Sequence, residues 1–183
     1  MVAKDDNVKL IVGGMVYEGW KEARVRQSMD TLCGSFMFLM SQEYMGASIT
    51  FKIGDVCKVM IGATTVIDGY IDDINEDLDD ETHALEISGR DKTEDIVDCC
   101  WDAIPTQWRW QKLERIAQTL CTPFGILVVT KVDTGAIFKN FQINDGDTVF
   151  SNLERLARQR GVLLVGYGDG FLTITNAKAK GKA

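Results

Sequence analysis

Carboxylates are the chemically suggestive residue type most concentrated in this chain: eight of the fourteen positions from Asp68 to Glu81 are Asp or Glu. Clustered oxygens of that kind suit a hard cation such as calcium. The run lacks the D-x-D-x-D-G order with a distal Glu, so it reads as the solvated end of a β-hairpin. Nucleophilic catalysis would need His83 as its base, because no other histidine is present. That residue alternates with Leu85 and Ile87 as a strand residue would, and no Gly-x-Ser-x-Gly elbow accompanies it. Five cysteines (Cys33, Cys57, Cys99, Cys100, Cys121) show no C-x-x-C spacing, and one histidine leaves a zinc site short of ligands. They read as reduced, mostly buried thiols. The glycines at 13–14 and at 166, 168 and 170 fit turns and match no phosphate-binding fingerprint. No catalytic residue, metal set or cofactor is expected.

The elements that would carry such residues are mostly short strands. Val8–Val12 and Met15–Tyr17 read as a hairpin around Gly13-Gly14. Further strand candidates are Trp20–Met29, Ser35–Met40, Ile49–Ile53, Val56–Ile61 and Thr64–Asn75, the last bent at Gly69. From Thr82 the alternation places His83, Leu85 and Ile87 on one face, and this strand should pair with the preceding one across Glu76–Glu81. After Gly89 the period becomes helical. Asp91 is expected to cap the helix and Glu94 to complete a capping box, with Thr93, Ile96, Val97 and Cys100 as its apolar stripe.

A connector follows that holds Pro105 and three tryptophans, Trp101, Trp108 and Trp110. Rings of that size in so short a stretch are expected to leave water, packing in a core or against a partner. The sequence then echoes itself. LERIA at Leu113–Ala117 recurs as LERLA at Leu153–Ala157, each opening an amphipathic helix followed by an apolar strand, Ile126–Val129 and Val162–Val165. Pro123 with Gly125 should stop the first helix and Gly161 the second. Asp147 is expected to cap the second, Phe138–Ile143 to form a strand, and Gly168-Asp169-Gly170 to turn into a last strand at Phe171–Thr175.

These elements predict an α+β chain. Residues 1–92 would form a small N-terminal antiparallel β-barrel or sandwich, the β-barrel being what the family resemblance given below implies, and residues 93–183 a smaller α/β domain with two helix–strand units. With 183 residues and 45% apolar composition, the chain can bury a core of that size. No run approaches the length of a membrane span, and Met1–Asn7 is too polar for a secretory signal. A net charge of −7 disfavours a grip on phosphate backbones, which the short basic stretch Lys178–Lys182 does not reverse.

Several strings in this order resemble one family. They are GYID at Gly69–Asp72, GRDKTEDIVDC at Gly89–Cys99, the LERIA helix with Cys121, Pro123 and Phe124-Gly125, and LERLARQRGVLL from Leu153. The chain is similar to the baseplate hub proteins of contractile-tailed phages, the Mu-like tail protein P family in particular, related to the T-even hub. The resemblance implies a non-enzymatic virion component, assembled in the host cytoplasm. It implies a homotrimer that joins the tail tube or tube-initiator protein to the central spike, beside baseplate wedge proteins. DNA would pass through its channel without specific binding. Gly89, Arg90, Asp91, Lys92, Glu94 and Asp95 would be a structural landmark; Asp72, Asp73, Glu76, Asp77, Asp79 and Asp80 would face the channel or its rim; Trp101, Trp108 and Trp110 would serve an interface. Family members are longer and add a second barrel, which would then lie in a further part of the hub or in another polypeptide. The rival readings are a tail-associated cell-wall-degrading enzyme and the hub of a tailocin or type VI-like injection device.

Overall fold

The computed structural model describes residues 7–28, 31–41, 52–78 and 83–177, which fall into two compact units. The first comprises residues 1–92 together with Tyr167–Gly170, and the second residues 93–166 and 171–183.

Seven antiparallel strands build the first unit: β1 (Val8–Val12), β2 (Met15–Tyr17), β3 (Glu22–Arg26), β4 (Ser35–Ser41), β5 (Val56–Ile61), β6 (Thr64–Leu78) and β7 (His83–Asp91). They lie in the order β2-β1-β5-β6-β7-β4-β3. Strict alternation in β4 shows why: Phe36, Phe38 and Met40 are buried while Ser35, Met37 and Leu39 are not. Leu10, Val12, Cys57, Val59, Ile67, Ile71, Leu85 and Ile87 join them in a single core cluster. No helix occurs among the described residues of this unit, so one sheet must curl over its own face to enclose that core. Trp20 helps to close it, stacking on Phe38 at 4.4 Å and donating its indole N–H to the Val8 carbonyl at 3.0 Å.

The opening hairpin is as expected, with Val12 opposite Met15 and both turn glycines at positive φ, 57° and 83°. Two expectations change. Ile53 and Gly54 lie in a turn, while the rest of the Ile49–Ile53 strand candidate falls on 49–51, outside the described residues, apart from Lys52. β6 shifts register at two points, at Val66 against β5 and at Asp72 against β7, while its pairing runs unbroken through Gly69. Asp79, Asp80 and Glu81 of the hairpin end, and Lys178–Lys182, lie outside the described residues.

The second unit holds α1 (Glu94–Asp98), β8 (Gln107–Gln111), α2 (Leu113–Cys121), β9 (Leu127–Thr130), β10 (Phe138–Gln142), α3 (Val149–Arg160), β11 (Leu163–Gly166) and β12 (Phe171–Thr175). Each of the echoed helices feeds a strand: α2 leads to β9 and α3 to β11. The two strands flank β12, which runs parallel to β9 and antiparallel to β11. Leu113, Ile116, Ala117 and Leu120 of α2 and Val149, Leu153, Leu156 and Ala157 of α3 are buried, as the periodicity requires. Gly125 and Gly161 terminate the two segments in left-handed conformation, φ 68° and 62°. The α3 cap is Thr148, whose hydroxyl accepts from the Ser151 N–H at 3.2 Å; Asp147, one residue early, instead accepts from the Asn144 side chain.

Candidate functional site

The GYID and GRDK strings are halves of one structure. β6 and β7 pair so that Gly69 faces Asp91, Tyr70 faces Arg90 and Ile71 faces Gly89. Both glycines mark points where the strands approach too closely for a side chain. A Cβ on Gly89 would stand 2.6 Å from the Phe36 ring and closer still to the Tyr70 carbonyl; one on Gly69 would meet the Arg90 carbonyl and lie 2.6 Å from the Asp91 Cα. Glycine is required there by packing and not by dihedral angle.

Asp91 is the last residue of β7. The strand runs on through it, and α1 starts at Glu94 behind Thr93, which makes no side-chain capping bond. Asp91 is fully buried and its Oδ2 accepts the Gly34 N–H at 2.5 Å, while the Gly34 carbonyl accepts the Asp91 N–H at 3.1 Å. This carboxylate therefore fastens the loop ahead of β4 to the end of β7.

The flanking charges are paired as well. Lys92 Nζ lies 2.9 Å and Lys58 Nζ 3.3 Å from the Asp68 carboxylate, and Arg90 Nε donates to Asp72 Oδ2 at 2.9 Å. Of the acidic positions expected at a channel, Asp72 is thus neutralised within its own sheet. Asp73 and Glu76 are exposed, Asp77 continues the strand, and Asp79 and Asp80 fall outside the described residues. Glu94 and Asp95 occupy the first turn of α1, where their charge suits the helix dipole. Among the described residues no group of side chains could hold a metal ion, and no helix is long and apolar enough to cross a membrane.

The tryptophans separate into two kinds. Trp108 is buried, 6.3 Å from Trp101 and 5.7 Å from Phe141 between ring centroids, and Trp101 donates its N–H to the Pro105 carbonyl. Trp110, by contrast, is 62% exposed. Core packing accounts for Trp108 and in part for Trp101, whereas Trp110 stays at the surface of this chain. The cysteines also divide: Cys57 and Cys121 are buried, with burial pushing each thiol up to about 12, whereas Cys99 and Cys100 are exposed. Vicinal thiols at the end of a five-residue helix have no interior to enter, which the sequence spacing alone did not reveal.

A cavity of about 350 Å³ opens between β10 and α3, walled by Asn140, Gln142, Asn144, Arg155 and Gln159. Arg155 is committed to structure, donating to the Asn144 side chain, the Gln142 carbonyl and Asn152, with its guanidinium 5.1 Å from the Phe141 ring centre. Its lining offers amides, one locked guanidinium and apolar groups, with no carboxylate, imidazole or thiol to move a proton or attack a bond.

Comparison with known proteins agrees with this division. Residues 7–91 match the family described as Mu phage baseplate assembly protein GpP-like, N-terminal, and residues 93–176 the family described as baseplate hub protein gp44-like, second domain. The chain is 29% identical over 175 residues to the baseplate hub protein gp44 of Escherichia phage Mu, covering 94% of this chain and 46% of that one. It superposes on the 43 kDa tail protein of prophage MuSo2 from Shewanella oneidensis with a TM-score of 0.87 and 39% identity, over 94% of this chain and 56% of that one. A tail protein from Neisseria meningitidis shares the fold at a TM-score of 0.84 and 23% identity, over 96% of this chain and 52% of that one. The chain thus spans about half the length of these relatives. Through both of its domains, in order, it belongs to the baseplate hub family of Mu-like phages.

Proposed function

We propose that this chain is a structural, non-enzymatic component of the baseplate hub at the axis of a contractile tail. In this reading it assembles as a homotrimer, joins the tail tube to the central spike, and surrounds the channel through which DNA leaves. Wedge proteins contact the hub from outside, and the assembly forms in the host cytoplasm before joining the virion. The observation that carries the reading is the succession of two hub domains over residues 7–91 and 93–176. A seven-stranded antiparallel sheet with no helix among its described residues supports the tube-like role, because closure into a barrel would hide its strand edges.

The exposed carboxylates of β6, Asp73 and Glu76, face the channel or its rim. A negative wall repels passing DNA and keeps it from adhering. A cryo-EM map of the assembled tail tip tests all of this at once. Three copies around the axis between tube and spike, with β6 turned inward, are expected. A peripheral position, or β6 on the outer wall, refutes the respective part.

A further inference from the structure

Trp110 is the only non-glycine among the described residues with positive φ, at 57°. A bulky side chain is disfavoured in that conformation, and such outliers persist where the surroundings impose them, often at functional contacts. Here the outlier interrupts a ladder. β8 and β10 pair Phe138 with Gln111 and Asn140 with Arg109, but the intervening pair of Lys139 with Trp110 is missing. The break turns the indole outward, in contrast to Trp108 two residues earlier. Arg109 and Lys139 beside it are exposed, and neither forms an ion pair or hydrogen bond among the described residues. β8 is paired on one side only, in a two-stranded sheet. A rigid aromatic between two unpaired cations on a one-sided strand has the composition of an interface anchor.

We propose that the β8–β10 ribbon around Trp110 docks onto a second copy of this chain. The inference rests on the homotrimer reading above and supplies one of its contacts. Charge selects the occupant: on a chain of net −7, the surface of another copy is predominantly anionic, and this spot is cationic. The same charge selects the symmetry. In a two-fold contact the patch would face itself and repel, whereas a head-to-tail contact sets it against a different, acidic surface and closes into a ring.

Sedimentation velocity on the full chain, over a range of protein and salt concentrations, tests the proposal with Trp110→Gly and the double variant Arg109→Glu, Lys139→Glu. Glycine accepts φ 57° freely, so the first variant removes the indole without straining the fold, and Trp110→Asn provides a second residue tolerant of that conformation. Wild type is expected to associate, each variant to need at least about tenfold more protein for the same association, and added salt to weaken wild type more than the double variant. A wild type that associates while all variants associate equally overturns the proposal and leaves the trimer standing. Unchanged self-association with lost binding to a purified spike or tube protein overturns it in favour of a different occupant. A wild type that stays monomeric throughout refutes this contact, because the ribbon then does not hold two copies together.

Discussion

Replacing Gly89 by alanine isolates what the most distinctive string of this chain does. The residue has ordinary strand dihedrals, absent from the positive-φ set, so alanine meets no intrinsic backbone penalty. The new methyl would instead stand 2.6–2.7 Å from two carbons of the Phe36 ring and inside contact with the Tyr70 carbonyl. Phe36 is 3% exposed and cannot swing away, and the carbonyl belongs to the β6–β7 ladder itself. Relief must come from parting the strands, at the upper end of overpacking costs, about 3 kcal/mol. With a urea slope of about 2 kcal/mol/M, the midpoint of the first unit falls by about 1.5 M. Hydrogen exchange of peptides from β6 and β7 under rising urea reads that unit without interference from the second. Gly14→Ala is the control, since it has open space around it but φ 83°, and should cost only the left-handed penalty of about 1–2 kcal/mol. If Gly89→Ala shifts the midpoint no more than Gly14→Ala does, close strand approach is not what the motif provides.

Three other outcomes follow from the same geometry. Asp91→Ala strands the Gly34 N–H in the interior and is expected to destabilise by about 2–3 kcal/mol, whereas Arg90→Ala, losing a half-exposed pair with Asp72, costs under about 1 kcal/mol; urea titration compares them. Thr148→Ala removes the α3 cap at about 1 kcal/mol, and Asp147→Ala, which the sequence alone would rank higher, changes thermal stability by less. Brief alkylation with iodoacetamide at neutral pH, read by mass spectrometry, labels Cys99 and Cys100 and spares Cys57 and Cys121 until the chain unfolds. The raised thiol values also have a sign: the unfolded chain releases these protons near pH 9 and the folded chain near 12. Their contribution to stability is therefore intact below pH 9 and is lost as pH climbs toward 12, a loss that a Cys57→Ser, Cys121→Ser variant should not show.

What could be read from residue types and spacing was whatever depends on period. Alternation located β4, β5 and β7, the 3.6-residue stripe located α2 and α3, and glycines at 13–14, 125 and 161 marked their ends. What could not be read depends on who lies opposite. Asp91 has the spelling of a cap, and only the fold shows that it also accepts from Gly34, fifty-seven positions away. Gly69 looks like a bend, and only the backbone of Asp91 across the ladder shows it to be a point of close approach. Trp108 and Trp110 are indistinguishable in one dimension until a missing pair in the ladder sends one ring inward and the other out.

That division explains why the most specific string in the chain contains no chemistry. A sheet that must curl without a helix to lean on needs fixed crossing points, since a register slip of one residue would turn its core face to solvent. GYID and GRDK provide them in a few residues. Two glycines let β6 and β7 touch, Asp91 ties β7 to the loop before β4, and Lys58 of β5 with Lys92 of the turn after β7 holds Asp68 from both sides. Each of these residues is engaged in the sheet's own geometry. Surfaces for association must then come from elsewhere in the chain, from residues that local structure leaves unsatisfied, and Trp110 with Arg109 and Lys139 meets that description.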